Sequence, residues 1–240
     1  MVYAWVMQRR ALVVALAGCG FHGAEVPDAR TIDAALDVGA GFCDPIDGLI
    51  ACYEFEGNTN DATANHLDAM AVNVVFVAGH VGNAMLLAAD SDATVAASPK
   101  FDIAQLTIEA WVNPSTLPAP VHASVVLAVN GQYSLWINDN GTLSCDLHGA
   151  TRVTSTAAVA AMTWSHVACT YDTMVARIYV NGVAVSRNAT GDLTPSGNEM
   201  AIGSNSPGSP LIGMIDELRL LSVARTGPQI CSDAGQSSCP

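Results

Sequence analysis

Apolar and polar residues alternate through much of this chain, most plainly from Trp164 to Gly182, WSHVACTYDTMVARIYVNG. Ser165, Val167, Cys169 and Tyr171 alternate there with Trp164, His166, Ala168 and Thr170. Asp172 to Met174 break the run, and Val175 to Val180 resumes it, with Ile178 and Val180 on one face and Arg177 and Tyr179 on the other. Asn181-Gly182 then offers two residues that tolerate positive φ at the centre of a tight hairpin turn. Alternation bounded by turn residues fits a pleated sheet with one dry face, so the stretch is predicted as two strands of an antiparallel meander.

The same pattern predicts strands at Leu49 to Phe55, Met70 to Val77, Met85 to Ala88 and Leu106 to Val112. It continues through Val125 to Val129, Tyr133 to Ile137, Thr142 to His148 and Thr151 to Thr156, punctuated by Asn130-Gly131, Asn138 to Gly141 and Gly149-Ala150. Val183 to Arg187, Met200 to Ile202 and Ile212 to Leu221 complete the series. The alanine-rich Ala157 to Ala161 reads as a loop, and the one helix expected is a terminal turn around Gly227 to Cys231. About a dozen short strands spaced by roughly eight to twelve residues indicate an all-β fold, a two-sheet antiparallel sandwich or jelly roll.

Composition and charge narrow this picture. The 240 residues can bury a sizeable core, and a chain half hydrophobic and 13% charged is not composed like a disordered one. A formal net charge of -13 repels phosphate backbones and anionic headgroups, which sets nucleic acid aside as a partner and leaves cations and neutral ligands. At the N-terminus, Arg9-Arg10 precede the apolar run Ala11 to Ala17, which describes a secretory signal over residues 1–18. Leu16-Ala17-Gly18-Cys19 resembles the bacterial lipobox, in which the cysteine is lipidated and becomes the mature N-terminus. Cleavage there removes two arginines and takes the charge from -13 to -15. Residues 19–44, acidic and rich in Ala and Gly, read as a tether, and residues 45–240 as the folded domain. The expected location is the bacterial cell envelope, with membrane contact only through the lipid anchor.

Export agrees with the cysteines. Apart from Cys19, an even set remains: Cys43, Cys52, Cys145, Cys169, Cys231 and Cys239. The absence of a CxxC pair weakens a zinc or redox reading. The preferred pairing is Cys145 with Cys169, Cys43 with Cys52 and Cys231 with Cys239; a cross-link between the chain ends is the rival, and spacing alone does not choose.

Several segments, in order, resemble the laminin-G-like, concanavalin A-like jelly rolls. They are Tyr53 to Asn58, the Asp61 to His66 loop, Gly79 to Ala84, Leu106 to Pro114, Trp164 to Ala168, Tyr179 to Gly182 and Gly213 to Arg219. The resemblance covers about Leu49 to Ile230 and implies two packed antiparallel sheets with the first and last strands side by side. It also implies a structural calcium held by Asp61, Asn65 and Asp216, whose hard oxygens suit that ion. The loop departs from the family's Asp-x-Ser-Gly-Asn, with Ala64 where glycine would readily take positive φ. The same acidic residues also serve as ordinary turn caps.

For ligands, Tyr133 and Trp136 offer aromatic faces and Asn138, Asp139 and Asn140 offer hydrogen bonds at a loop edge, with Tyr171 and Tyr179 as further faces. Trp111 and Trp164 are assigned to the core, and His166 to a structural role. Catalysis finds little support. Asp216 and Glu217 are adjacent, so strict alternation points them to opposite faces, and neither a GxSxG elbow nor an HExxH helix is present. The expectation is a non-catalytic binding or adhesion module for glycan or surface-protein ligands. A structural envelope lipoprotein is the alternative, and a glycoside hydrolase the more distant one.

Overall fold

The computed structural model describes residues 41–204 and 209–237, so the signal, Cys19 and the tether up to residue 40 lie outside the described residues. Among the described residues, fifteen strands, one 3-10 turn (Pro99–Phe101) and one α-helix follow one another. They are β1 (Leu49–Tyr53), β2 (Ala69–Val72), β3 (Val75–Ala78), β4 (Asn83–Leu87), β5 (Asp92–Val95), β6 (Leu106–Pro114), β7 (Ala123–Val129) and β8 (Tyr133–Asn138). Then come β9 (Thr142–Leu147), β10 (Thr151–Ala158), β11 (Ser165–Tyr171), β12 (Val175–Val180), β13 (Val183–Asn188), β14 (Met200–Ile202), β15 (Gly213–Leu221) and α1 (Gly227–Asp233).

The strands form two antiparallel sheets. The eight-stranded sheet runs β13-β12-β11-β6-β15-β4-β3, with β1 also paired to β15; the seven-stranded sheet runs β10-β9-β8-β7-β14-β5-β2. First and last strands therefore lie side by side, with Tyr53 opposite Leu218. The fold is all-β, a two-sheet antiparallel jelly-roll sandwich. Inward residues such as Ile108, Val167, Ile178, Leu135, Leu143 and Leu220 form one continuous buried cluster.

Two expectations about elements change. Met70 to Val77 is two strands rather than one: Asn73 takes φ 54°, and the chain passes from β2 in one sheet to β3 in the other. Ala157 and Ala158 extend β10 instead of opening the loop. The terminal helix is α1, started by Thr226, whose hydroxyl accepts from the Gln229 backbone while Gln229 caps the Thr226 N–H in return.

Cys145 on β9 and Cys169 on β11 are joined, which ties the two sheets through the core; Cys43 and Cys52 are joined at the outer side of β1. Cys231 is also disulfide-bonded, and Cys239 lies outside the described residues. These bridges fit a chain exported to an oxidising compartment. Among the described residues no helix is long and apolar enough to cross a membrane. The inter-sheet bridge closes a segment of sequence separation 24. The double substitution C145A/C169A is expected to lower unfolding stability by about 3 kcal/mol, read as a shift in the urea midpoint; a loss below about 1 kcal/mol would show that the core holds the sheets in place without the bridge.

Candidate functional site

The outward face of the seven-stranded sheet is built in cross-strand rows. One row runs Met70, Thr94, Ala201, Ala128, Ser134, Asp146, Arg152 across the whole sheet. The next runs Val125, Trp136, Ser144, Thr154, and beside it Ala123 faces Asn138. Small residues on β7 and β14 thus leave room beside the one large ring of these rows. Trp136 is half-buried, and its indole N–H donates to the Ser134 hydroxyl. Asn138 donates to Thr142 and Ser144, both at 3.0 Å, and Ser144 lies 3.3 Å from Thr154. Arg152 pairs with Asp146, so the two charges of this row cancel. A flat ring set among hydroxyls, an amide and a neutralised ion pair is chemically suited to a sugar, which presents an apolar ring face and a rim of hydroxyls.

The face opens at one end into two cavities. One, of about 440 Å³, is lined by Asn138, Asp139, Asn140, Thr142 and Thr154 together with Val121 and His122. Its wall is set by hydrogen bonds: Asn140 accepts from Thr142, and Asp139 accepts from the Val121 N–H at 2.9 Å. Val121 is 94% exposed with φ 63°, a left-handed conformation that for a β-branched residue stores about 1 to 3 kcal/mol of strain. The second cavity, of about 400 Å³, lies across His122 and Ala123. Arg152 lies on a strand that the alternation predicts, but nothing in that pattern marks Val121 or His122. The only sequence signals near them are the prolines at 118 and 120, which signal a loop.

Of the predicted ligand residues, Trp136, Asn138, Asp139 and Asn140 are brought together, and Tyr133 is not. Tyr133 is fully buried and donates to the Phe101 carbonyl; Tyr171 likewise donates from the core to Gly191, and Tyr179 packs with Ala168 and Ile230 beneath α1. Trp111 and Trp164, assigned to the core, instead sit half-buried on the outward side of the eight-stranded sheet. The His80 ring stacks on Trp111 at 3.6 Å and meets Trp164 edge-on. His166, assigned a structural role, is fully buried with Nε2 3.5 Å from Glu109, and neither ring nitrogen is hydrogen-bonded.

Asp61, Asn65 and Asp216 do not fit a calcium ion. Asp61 Oδ1 accepts from the Cys52 and Thr63 backbones, and Oδ2 from the Thr63 hydroxyl and the Leu67 backbone, so both oxygens face donors. Asn65 donates to the Ile50 carbonyl. Asp216 lies where β15 changes partner from β4 to β1, and it accepts the N–H groups of His80, Val81 and Glu217. The two carboxylates therefore organise different loops. Among the described residues no group of three or more His, Cys, Asp or Glu side chains could hold a metal ion.

At the same point a bulge breaks the alternation that would separate Asp216 from Glu217. Glu217 takes φ 49°, is buried, and its Oε2 has no hydrogen-bond partner. Burial, then Asp216, Glu54 and Glu56, push its carboxyl up to about 8. Burial pushes Asp216 up to about 6 against the three N–H groups that favour its charge. Split carboxyl affinities occur in glycosidase pairs. Here, though, Asp216 is committed to three backbone donors, and the pair lies on the sheet opposite the polar face.

Two antiparallel sheets packed face to face, terminal strands paired and one outward face polar, define a lectin-like jelly roll. The chain belongs to the concanavalin A-like lectin/glucanases superfamily, which matches residues 87–231, more than half of its length. No curated protein matches the sequence. Among solved structures, the fold is similar to domain 4 of AbnA, a GH43 extracellular arabinanase from Geobacillus stearothermophilus, in complex with arabinotriose. The TM-score is 0.64 at 21% identity, covering 78% of this chain and 98% of that one. It is also similar to the binding domain of Paraclostridial Mosquitocidal Protein 1 (TM-score 0.65, 13% identity, 78% of this chain and 52% of that one). A third is the binding domain of botulinum neurotoxin DC in complex with SialylT (0.59, 11%, 81% and 52%). The chain thus spans about half of the toxin binding domains, and at these identities the likeness is one of fold.

The raised Glu217 carboxyl has a consequence for stability. The folded state holds this proton more tightly than the unfolded chain does, so its contribution is complete below about pH 4.5 and is lost as pH rises through about 8. Above about pH 6 Asp216 has already lost its own contribution. The variant Glu217→Gln is therefore expected to gain stability relative to the parent chain as pH goes from 6 to 8. Urea midpoints at pH 6, 7 and 8 measure this; a constant difference across the three would contradict it.

Proposed function

We propose that this chain is an exported, non-catalytic binding module that takes glycan ligands on the outward face of the seven-stranded sheet, centred on Trp136. Its signal peptide and lipid anchor at Cys19 would hold it at the cell envelope, with the acidic tether setting its distance from the membrane. The observation that carries the reading is the cross-strand row in which Trp136 stands between Val125 and Ser144, flanked by Ser134 and Asn138, the last of which also lines the adjoining groove. The ring supplies a stacking surface. The hydroxyls and amides supply a rim that can donate and accept in turn. Support comes also from the arabinanase domain of the same fold, solved with arabinotriose.

Calcium has no part in this reading, because the oxygens of Asp61 and Asp216 already face N–H and O–H donors. Recognition then rests on shape, stacking and neutral hydrogen bonds. An acidic chain of net charge -13 favours neutral over anionic glycans by the same logic.

A glycan array, followed by calorimetry on the best binder, tests the proposal. Trp136→Ala is expected to weaken binding at least tenfold, with circular dichroism checking that the sheet of the variant is intact. An array without binders, or a binder held equally by the alanine variant, would remove the proposal. Adding EDTA to the same titration is expected to leave the affinity unchanged; a loss on chelation would restore a cation to the site.

A further inference from the structure

The two ends of the sandwich differ in charge. At one end lie the loops from β6 to β7 (residues 115–122), β8 to β9 (139–141), β10 to β11 (159–164) and β14 to β15 (203–212). Backbone N–H groups tie the four together: Met162 donates to the Pro114 carbonyl, Ser115 to Ile212, Val159 to Gly141, and Val121 to the Asp139 carboxylate. By sequence these loops hold one acidic side chain, Asp139, in a chain with 22, and His122 is their one other titratable group. Asp90, in the β4–β5 turn, stands at the far side of this end, beyond β15 and β14. The segments at the opposite end carry Lys100, Asp102, Asp172, Asp192, Glu199 and Arg225.

Apolar side chains stand where the charges are missing. Val121 is almost fully exposed, Met162 is 80% exposed and Ile212 is 39% exposed. Val121 (φ 63°) and Met162 (φ 57°) both occupy the left-handed region, which a non-glycine residue keeps only when its surroundings hold it there. Their own N–H groups supply that hold, at 2.9 Å to Asp139 and 2.7 Å to Pro114. Pro118 and Pro120 fix two further φ angles in the loop that ends in Val121 and His122. Each tip is thus presented to water by a backbone that resists folding it away. Trp164, half-buried, closes the 159–164 loop, and an indole of that kind suits the boundary between lipid and water.

We propose that this end docks on a neutral phospholipid surface, with Val121 and Met162 entering the headgroup layer. The proposal is independent of the glycan reading. Charge favours a bilayer of zwitterionic lipid: the four loops are the part of an acidic chain that can approach it without desolvating a row of carboxylates or meeting anionic headgroups. Area favours it as well. A stable folded partner needs roughly 600 Å² or more from each side, packed to a matching shape, whereas a fluid bilayer closes around single projecting side chains and binds in proportion to the apolar area they bury.

The test floats the full chain carrying Cys19→Ser, which cannot be acylated, with phosphatidylcholine vesicles. The N-terminal apolar run is common to every sample, so the ratio between variants is read. The double variant V121S/M162S is expected to lower the partition coefficient at least tenfold, since each large apolar side chain contributes a factor of about ten. Met174→Ser, at a 69% exposed position in the β11–β12 turn of the opposite end, is expected to leave it unchanged. Adding phosphatidylglycerol to the vesicles is expected to weaken binding. A ratio near one for V121S/M162S, or an equal loss for Met174→Ser, would overturn the proposal, and so would tighter binding to the anionic vesicles. A parent chain that sediments as a dimer, with V121S/M162S a monomer, would assign the surface to a second copy and overturn the bilayer.

Discussion

Glu109 is a carboxylate with no access to water, in the middle strand of the eight-stranded sheet and on its outward side. Burial alone would drive it to hold a proton. His166, Arg219 and Arg225 outweigh burial and keep it well below the usual carboxylate range. An ionised group in that position stands only while its cations stand, since breaking a buried pair costs about 3 to 5 kcal/mol. The cations have further partners: Asp233 on α1 takes both Arg219 and Arg225, and Arg219 also donates to the Phe42 carbonyl and lies 4.1 Å from the Phe42 ring. The segments before β1 and after β15 are thereby drawn onto the sheet. Ile230 completes the cover by packing on Ala168 and Tyr179.

That closure decides which surface is left for recognition. A sandwich has two inward faces, both spent on the core, and two outward ones. Charge and α1 cover part of one outward face, over Ala168, Tyr179 and Glu109. The other carries Trp136, Asn138, Asp146, Arg152 and Thr154, held by rows of cross-strand pairs on β7 to β10 and tied to the core by the Cys145–Cys169 bridge. Side chains fixed by a ladder and a covalent link are better placed for selective binding than side chains on free loops. The polar face is the solvent side of the same alternation that makes the core.

This explains what was legible in the sequence. Period-two alternation located nearly every strand and the sheet class, because one dry face is enough to generate it. Residue type singled out Trp136 and Asn138 as ligand candidates without placing them on one face. Alternation does not say whether the outward face will be covered, so Trp111 and Trp164 looked like core when they stand outside it. It does not rank aromatics within the dry face either: Tyr133 and Tyr171 are core residues because their hydroxyls find backbone carbonyls at Phe101 and Gly191, far away in sequence. Local breaks were hidden for a related reason. Asn73 at positive φ divides one apolar run between two sheets, and the bulge after Asp216 brings neighbouring carboxylates into each other's field. Both depend on partners that only the folded chain supplies.

Asp216 shows most clearly how a residue type can mislead. From its surroundings in sequence it suggests a cation ligand, and a strand that switches from one partner to another would be a natural place for an ion. The switch, however, leaves backbone N–H groups at His80 and Val81 without strand acceptors, and a carboxylate answers them directly. The donors do the work that a calcium ion would do for the charge. Glycan binding on the opposite face, as proposed, would draw no cation from these carboxylates, and the ion pair of Asp146 with Arg152 leaves the rows around Trp136 close to neutral in a chain that is strongly acidic overall. Selection there would fall to ring stacking and hydrogen-bond geometry, both of which are short-ranged.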